Sequence, residues 1–516
     1  MHHRIRARAP HAAHAPRLDA DPAVVAGFLS DAAHVPGGHA AGVAFPKSEG
    51  EIAAVVANAT RVLPVGAQSS LTGGATPRGD IVLSTRALGS IGTPANGEVM
   101  VGAGVPLAAL QQTLAAAGLY YPPVPTYDGA FVGGTIATNA AGAATFKYGS
   151  TRAWVAGLTV VLANGLVLDI RRGRTVASAD GRFEIEVPDA PAVNVCIPRY
   201  AMPDVAKLSA GYAARPGMDL IDLFIGSEGT LGVIAQATLR VIARPRRCLA
   251  LVSCADDDQA VAVTAALRAE AREAWARRGP LDVAAIEYMD ARALAAVPDE
   301  AFARAGASRP ADGFVLLLVQ IETGTGGEDA ALERLAWLLT TCGVADDPRV
   351  AAADDERGAQ RLCELREAVP ASVNAIVAAA QARVHPDIHK TAGDMVVPFD
   401  RLAESIALYR RTFEAKGLEY AIWGHVSDGN LHPNVVPRSI DDVHRGHEAI
   451  LEIARAVIAM GGAPLAEHGV GRSALKQQLL RELYGEAGIE QMRAVKRALD
   501  PDWKLAPGVL FPTEVR

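Results

Sequence analysis

Leu63-Pro-Val-Gly-Ala-Gln-Ser-Ser-Leu-Thr-Gly-Gly74 is the stretch on which the reading of this 516-residue chain turns. Glycines at 66, 73 and 74 let backbone N–H groups approach a ligand closely, and hydroxyls at 69, 70 and 72 add donors, so the loop has the makings of a phosphate nest. A glycine-rich turn without a ligand is the plain alternative. Spacing excludes two familiar phosphate loops. A Walker loop needs a lysine after its last glycine, and none follows Gly73 or Gly74; Gly102-Ala-Gly104 opens like a dinucleotide fingerprint but carries Leu107 at the third glycine position.

Bulk properties narrow the setting. A chain this long exceeds a single core, so two or more domains are expected. With 50% hydrophobic and 21% charged residues, extensive disorder is excluded. The net charge of -7 gives no basic footprint for nucleic acid, while local arginines leave a small anionic substrate open. Cys196, Cys248, Cys254, Cys342 and Cys363 show no CxxC spacing, which argues against a disulfide framework or zinc ribbon and favours a reducing, cytoplasmic setting. Met1 to Arg17 is rich in His, Arg and Ala, lacks acidic residues and weakly resembles a transit peptide; residues 1–37 are read as a disordered tail. Asn164-Gly165 divides the apolar run from Ala153 to Ile170 as a hairpin turn does, so no transmembrane helix is expected.

Working outward from the loop, Ser48-x-x-Glu51 is a capping box for a helix with Ile52, Val55 and Val56 on one face. Ile81 to Ser84 reads as a strand, and Pro106 opens an Ala-rich helix that stops at Gly118. Tyr120 to Gly149 is almost wholly small residues, prolines and hydroxyls, so something other than protein side chains is expected to fill its space. Gly157 to Asp169 is a hairpin, and residues 173–205 are irregular, with Phe183 to Val187 as an extra strand. Asp222 to Ile234 reads as strand, glycine turn, strand. Arg244-Pro-Arg-Arg247 marks a boundary, after which strands (Leu249 to Ser253, Val283 to Glu287, Phe314 to Ile321) alternate with helices (Ala260 to Ala276, Asp329 to Thr341), the pattern of helices on one face of an antiparallel sheet.

A second constellation lies in Trp423-Gly-His425-Val-Ser-Asp-Gly-Asn-Leu-His432-Pro-Asn434 and Ala466-Glu467-His468-Gly-Val-Gly-Arg472. A seven-residue spacing puts His425 and His432 on opposite faces of an unbroken strand, but Asp428-Gly429 can turn the chain between them. With a carboxylate such as Glu467 they would suit a divalent ion that keeps open positions. The plain alternative is a histidine-bearing turn satisfied by backbone hydrogen bonds.

Together the stretches VGAQSSLTGG, FVGGTIATNAAG with KYGSTR, LFIGSEGTLGVI, GHVSDGNLHP, AEHGVGR and LDPDWKLAPGVLFP resemble the FAD-linked D-2-hydroxy-acid dehydrogenase group of the vanillyl-alcohol-oxidase (PCMH-type) flavoproteins, from about Pro46 to Pro512. The group includes D-lactate and D-2-hydroxyglutarate dehydrogenases and the glycolate oxidase flavin subunit. The resemblance implies an α+β architecture: an FAD-binding domain of two α+β subdomains over 38–245, an antiparallel cap over 246–455, and a C-terminal segment, 456–516, returning to the flavin site. It implies that Pro64, Gly66, Ala67, Gln68, Ser69, Ser70, Leu71 and Thr72 hold the FAD pyrophosphate. Pro125, Gly133, Gly134, Thr138, Asn139, Gly142, Tyr148, Gly149, Glu228, Gly229, Val233 and Ile234 would line the rest of the cofactor. Residues 64–74 contain no His or Cys, so the FAD is expected to be noncovalent.

The resemblance further implies His425, His432 and Glu467 as ligands of a divalent metal (Zn, Mn or Fe), His468 as the base, and Arg366 with Asn434 as contacts to the substrate. The expected reaction is oxidation of a 2-hydroxy acid with hydride transfer to flavin N5. The electron acceptor is an electron carrier protein, a quinone or a partner subunit. A homodimer and a peripheral membrane association are compatible with it. Departures from the group are Ser427, where many members have glycine, and a longer Pro370 to Asp394 segment, which leaves Lys390 as only a candidate for a second substrate cation. Two other readings stay open: a flavoprotein subunit of an electron-transfer complex, and a non-redox flavoenzyme of the alkylglycerone-phosphate-synthase type.

Overall fold

A computed structural model describes residues 2–123, 125, 127–323 and 327–512. The decisive loop belongs to a three-stranded parallel sheet in which Arg78–Ser84 lies between His39–Ala44 and Val62–Val65. The crossover helix Glu49–Asn58 starts where the capping residues predict: the Glu51 N–H donates to Ser48 Oγ at 3.2 Å, while the Glu51 carboxylate takes the N–H of Lys47. Its Ile52, Val55 and Val56 are buried. Residues 66–74 therefore emerge at the carboxyl end of a parallel strand, the end where open α/β sheets bind ligands.

A second, antiparallel sheet runs in the order Glu98–Gly102, Val233–Arg240, Val155–Val161, Val167–Arg171. The last two strands form the expected hairpin, with Gly165 at φ 80°. The Asp222 to Ile234 stretch departs from its sequence reading: its first half is the short helix Ile221–Phe224 rather than a strand. The cause is visible. The Arg152 guanidinium takes the carbonyls of Asp222 and Ile225 at 2.6 and 2.5 Å, leaving them unavailable to a ladder.

The N-terminal residues are likewise ordered where a disordered tail was expected. Arg4–Arg6 pairs in parallel with Arg182–Val187, which pairs with Ala190–Cys196, so the irregular 173–205 region and the N-terminus complete one three-stranded sheet. Ala7 is fully buried, and Arg8 binds both oxygens of Glu49 and the Asp169 carboxylate.

The cap is built on an eight-stranded sheet, ordered Arg349–Ala351, Arg247–Cys254, Val315–Thr323, Leu281–Met289, Tyr420–His425, Asn430–Val435, Thr391–Ala392, with Met395–Val396 also on Asn430–Val435. Side chains alternate between two cores. Cys248, Ala250 and Val252 face the helices Asp257–Trp275, Gly327–Thr341 and Leu402–Ala415; Leu249 and Leu251 face Ala291–Ala295, Asp299–Ala305 and Glu356–Arg383. Helices thus cover the second face as well as the expected one, because the alternate residues of these strands are also apolar. After the helices Ile440–Ala459 and Ala474–Leu499, the chain comes back to the parallel sheet: Val62 N–H donates to the Lys504 carbonyl and Ala506 N–H to that of Val62. Among the described residues no helix is long and apolar enough to cross a membrane.

Candidate active site

The 66–74 loop, the helix Val132–Ala137, the Glu228-Gly229 turn and Val233-Ile234 wall a cleft with about 1440 Å³ of empty space, its open mouth included. Of the expected cofactor contacts, Pro64 and residues 66–71, then Pro125, Gly133, Gly134, Thr138, Glu228, Gly229, Val233 and Ile234, line it. Gly134 has no atom within 4 Å of where a Cβ would stand, so its missing side chain leaves open cleft; a Cβ on Gly133 would lie 2.7 Å from that of Ala103. Small residues and empty space make a fit for a dinucleotide.

The remaining expected contacts do not line the cleft. Thr72 Oγ1 lies 3.0 Å from Ser70 Oγ, and its carbonyl takes the N–H of Arg472. Asn139, at φ 49°, accepts the Arg152 N–H and donates to the Leu208 carbonyl. The Gly142 N–H donates to Thr145 Oγ1. Tyr148 donates its hydroxyl to Glu322 of the cap at 2.5 Å, and Gly149 ends the Thr145–Tyr148 helix at φ 73°. Sequence reading did not single out Ala75, Thr85, Ala140 or Val509, which also line the cleft.

At one end of the cleft stand Glu467 and His468. The histidines arrive through strand register. Trp423 pairs with His432 and His425 with Asn430, so the hairpin closed by Val426–Gly429 brings both imidazoles to one sheet face. Gly429, at φ 76° with the Val397 carbonyl 2.3 Å from a Cβ position, supplies the turn that the seven-residue spacing needs. Glu287 is the registered partner of His425 on the strand beyond. On the other side, the pairs Ala392 with Asn434 and Met395 with Leu431 bracket Asp394 and set it across from His432. Three adjacent strands and the break between Thr391–Ala392 and Met395–Val396 therefore present carboxylate, imidazole, imidazole, carboxylate in a row.

Glu467 Oε1 lies 3.3 Å from Nε2 of both His425 and His432, and 3.6 Å from Nε2 of His468. His425, His432 and Glu467 offer ligand atoms within 4.8 Å of one another, a donor set suited to a divalent cation. From the far side, His425 Nδ1 meets Glu287 Oε1 at 2.5 Å, His468 Nδ1 meets Asp394 Oδ2 at 3.2 Å, and His432 Nδ1 lies 3.6 Å from Asp394 Oδ1. Burial opposes charge on His425, but the neighbouring Glu287 carboxylate outweighs it and raises the pKa to about 9. Burial lowers that of His432. Glu287 is held down at about 2 despite burial, by Arg366 and His425.

Arg366, from the helix Glu356–Arg383, points Nε and Nη2 at Glu287 Oε2, both at 2.8 Å, and Nη1 at the half-exposed Glu367. Asn434 is buried on the same face as the histidines and donates to the His432 carbonyl. Lys390 Nζ stands 5.6 Å from the centre of the Trp423 ring, with its pKa pushed down to about 8 by burial.

Three charged residues of this centre escaped sequence reading. Lys207, fully buried, sets Nζ 3.0 Å from both Asp428 Oδ2 and Glu467 Oε2. Asp394 and Glu287 complete the row. The available signal was Glu287 within the otherwise apolar run Val283 to Met289, since a buried charge must find a partner. Lys207 lies just beyond the irregular 173–205 segment, outside any helix or strand, and had no local signal.

The fold and the cleft define an FAD-binding, PCMH-type flavoprotein. Residues 40–171 match the family described as FAD binding domain, and residues 244–510 match FAD linked oxidases, C-terminal domain. The chain belongs to the FAD-linked oxidases and is an FAD-linked oxidoreductase. It is 30% identical to the D-2-hydroxyglutarate dehydrogenase of Xanthomonas citri pv. viticola, over 91% of this chain and 89% of that one. It is 28% identical to the glycolate oxidase subunit GlcD of Bacillus subtilis (88% and 84%) and 30% identical to the D-lactate dehydrogenase of Archaeoglobus fulgidus (90% and 89%). Among solved structures, an alkyldihydroxyacetonephosphate synthase shares the fold, with a TM-score of 0.59 at 15% identity over 90% of this chain and 75% of that one.

Proposed function

We propose that the protein oxidises a D-2-hydroxy acid of the lactate, glycolate or 2-hydroxyglutarate type to the 2-oxo acid. The observation that carries this reading is the convergence of His425, His432 and Glu467 at the end of the cleft where His468 stands. Relatives named for D-lactate, D-2-hydroxyglutarate and glycolate support the same substrate class. In this reading His425, His432 and Glu467 hold a divalent cation (Zn, Mn or Fe), and the 64–74 loop holds FAD noncovalently. When bound, the cation supplies Lewis acidity toward the substrate hydroxyl and FAD supplies the two-electron acceptor.

His468, about a third exposed toward the cleft, takes the hydroxyl proton at Nε2 while Nδ1 faces Asp394. Arg366 keeps Nε and Nη2 on Glu287 and turns Nη1 from the half-exposed Glu367 to the substrate carboxylate. Asn434 lies on the same sheet face and assists. Lys390, partnered by no carboxylate among the described residues, is the proposed second cation for a dicarboxylic substrate. With no dinucleotide fingerprint in the chain, electrons leave the flavin to a carrier protein, a quinone or a partner subunit.

The test is anaerobic mixing of holoprotein with a panel of D- and L-2-hydroxy acids while the flavin absorbance is followed. Bleaching by a D-acid is expected; bleaching by none of them refutes the reading.

A further inference from the structure

Asp394 lies buried behind His432 and His468. Its Oδ2 accepts the N–H groups of Glu467 and His468 at 2.9 and 3.0 Å and faces His468 Nδ1 at 3.2 Å. Its Oδ1 accepts from Asn430 Nδ2 at 3.3 Å and lies 3.6 Å from His432 Nδ1, a buried atom that has no hydrogen-bond partner. The side chain is 2% exposed.

Asp394, His432 and His468 also have the spacing of a metal triad. Two backbone N–H groups aimed at Oδ2 argue against a cation there, because they favour an anion that accepts hydrogen bonds. The geometry suits a carboxylate that takes N–H from both imidazoles.

We propose that Asp394 is the positioning residue that fixes the tautomers of two histidines at once. It holds hydrogen on Nδ1 of His432 and of His468, which leaves the Nε2 lone pair of His432 for the cation site beside Glu467 and that of His468 for the cleft. One carboxylate thereby prepares a metal ligand and the proton acceptor together, and its two backbone hydrogen bonds lock the Glu467-His468 dipeptide to the 391–396 segment, which pairs with the hairpin. Glu287 does the same for His425 alone. The proposal rests on the reading of His425, His432 and Glu467 as the cation site.

Asp394→Asn separates this role from packing. The two backbone donors require the amide oxygen at the Oδ2 position, so the amide nitrogen takes the Oδ1 position, where it gives up the hydrogen bond from Asn430 Nδ2 and faces His432 Nδ1 as a donor. That forces the hydrogen of His432 onto Nε2 and removes its lone pair from the cation site. Mn2+ binding to flavin-loaded protein, followed by the paramagnetic resonance of free Mn2+, should weaken by about 10–100-fold, the usual cost of losing such a carboxylate. Flavin content should stay at the parent level. At saturating Mn2+ the maximal rate of flavin reduction should remain depressed with little change in the half-saturating substrate concentration.

Parent-like Mn2+ affinity in this variant overturns the proposal while leaving the proposed function standing. A parent protein that binds no divalent cation overturns both. A second measurement needs no change at Asp394: 15N spectra of histidine-labelled parent should contain one Nδ1-protonated, Nε2-unprotonated ring that is lost in His432→Gln and another that is lost in His468→Gln. Nε2-protonated signals at those positions refute the proposal.

Discussion

The paired glycines of the cleft helix give opposite predictions for neighbouring positions. Gly133 and Gly134 both belong to Val132–Ala137, yet a Cβ on Gly133 would lie 2.7 Å from Ala103 Cβ and 3.0 Å from its carbonyl oxygen, whereas a Cβ on Gly134 meets nothing within 4 Å. Ala103 offers only backbone and a methyl group, neither able to swing away. Gly133→Ala should therefore cost about 1–3 kcal/mol by overpacking, offset by about 0.5–1 kcal/mol of helix propensity, leaving the flavin-free protein less stable by up to about 2.5 kcal/mol. Gly134→Ala keeps the helix gain without the clash, so the flavin-free protein should be about 0.5–1 kcal/mol more stable. Its methyl group enters the cleft, and an overpacking cost of about 1–3 kcal/mol now falls on the complex, weakening FAD by roughly 5–150-fold. Urea unfolding of flavin-free protein and fluorescence titration with FAD separate the two effects. The reasoning fails if Gly134→Ala binds FAD like the parent, or if Gly133→Ala leaves the flavin-free protein as stable as before.

Three further outcomes are expected. Acid precipitation should release all the flavin into the supernatant, because residues 64–74 carry no His or Cys; flavin fluorescence retained in the pellet refutes noncovalent binding. His468→Asn should retain FAD and lower the rate of flavin reduction by about 10²–10⁴-fold, the range for loss of a positioned base; a parent-like rate in rapid mixing removes His468 from the chemistry. Glu228 accepts the N–H groups of Val470 and Gly471 at 2.8 Å, yet burial raises its pKa from 4.5 to about 7. Between those values the folded protein keeps a proton that the unfolded chain has lost, so this group lowers stability as pH rises across the window, by at most about 3 kcal/mol. Urea unfolding of the flavin-free protein from pH 4.5 to 7 should show a slope that Glu228→Gln flattens; an unchanged slope assigns it to other groups.

Local signals carried most of the fold because they act within a few residues. Ser48 and Glu51 start a helix wherever the chain places them, and Asn164-Gly165 turns a hairpin through its own backbone preferences. What could not be read locally is pairing at a distance. Arg4–Arg6 looks like a solvated basic tail until Arg182–Val187 supplies a strand edge nearly the whole FAD domain away in sequence. Asp222 to Ile225 has strand composition, but the guanidinium of Arg152, a residue outside any local window, claims its carbonyls. The site divides in the same way. His425, His432, Glu467 and His468 stand in short motifs, while Glu287, Asp394 and Lys207 lie in three separate segments and become partners of those residues only through the tertiary fold, the first two by the register of the cap sheet.

The KYGSTR stretch makes a related point about motifs. It supported the resemblance to FAD proteins, and Tyr148 and Gly149 were read from it as cofactor contacts, yet neither lines the cleft. Lys147 Nζ sits between Asp282 and Glu322 of the cap at 2.6 and 2.7 Å, Tyr148 shares Glu322, and Arg247 reaches the same carboxylate at 3.3 Å. Glu322 is buried, and Lys147 and Tyr148 join Arg247 of the cap itself in compensating its charge. The short Thr145–Tyr148 helix follows Ala140 and Ala141 of the cleft wall almost directly. It therefore ties the flavin wall to the cap strands Leu281–Met289 and Val315–Thr323, and the first of these carries Glu287. The motif thus bears on the flavin through the placement of the cap: by anchoring the sheet that presents His425 and His432, it helps to set where those histidines stand relative to the cleft.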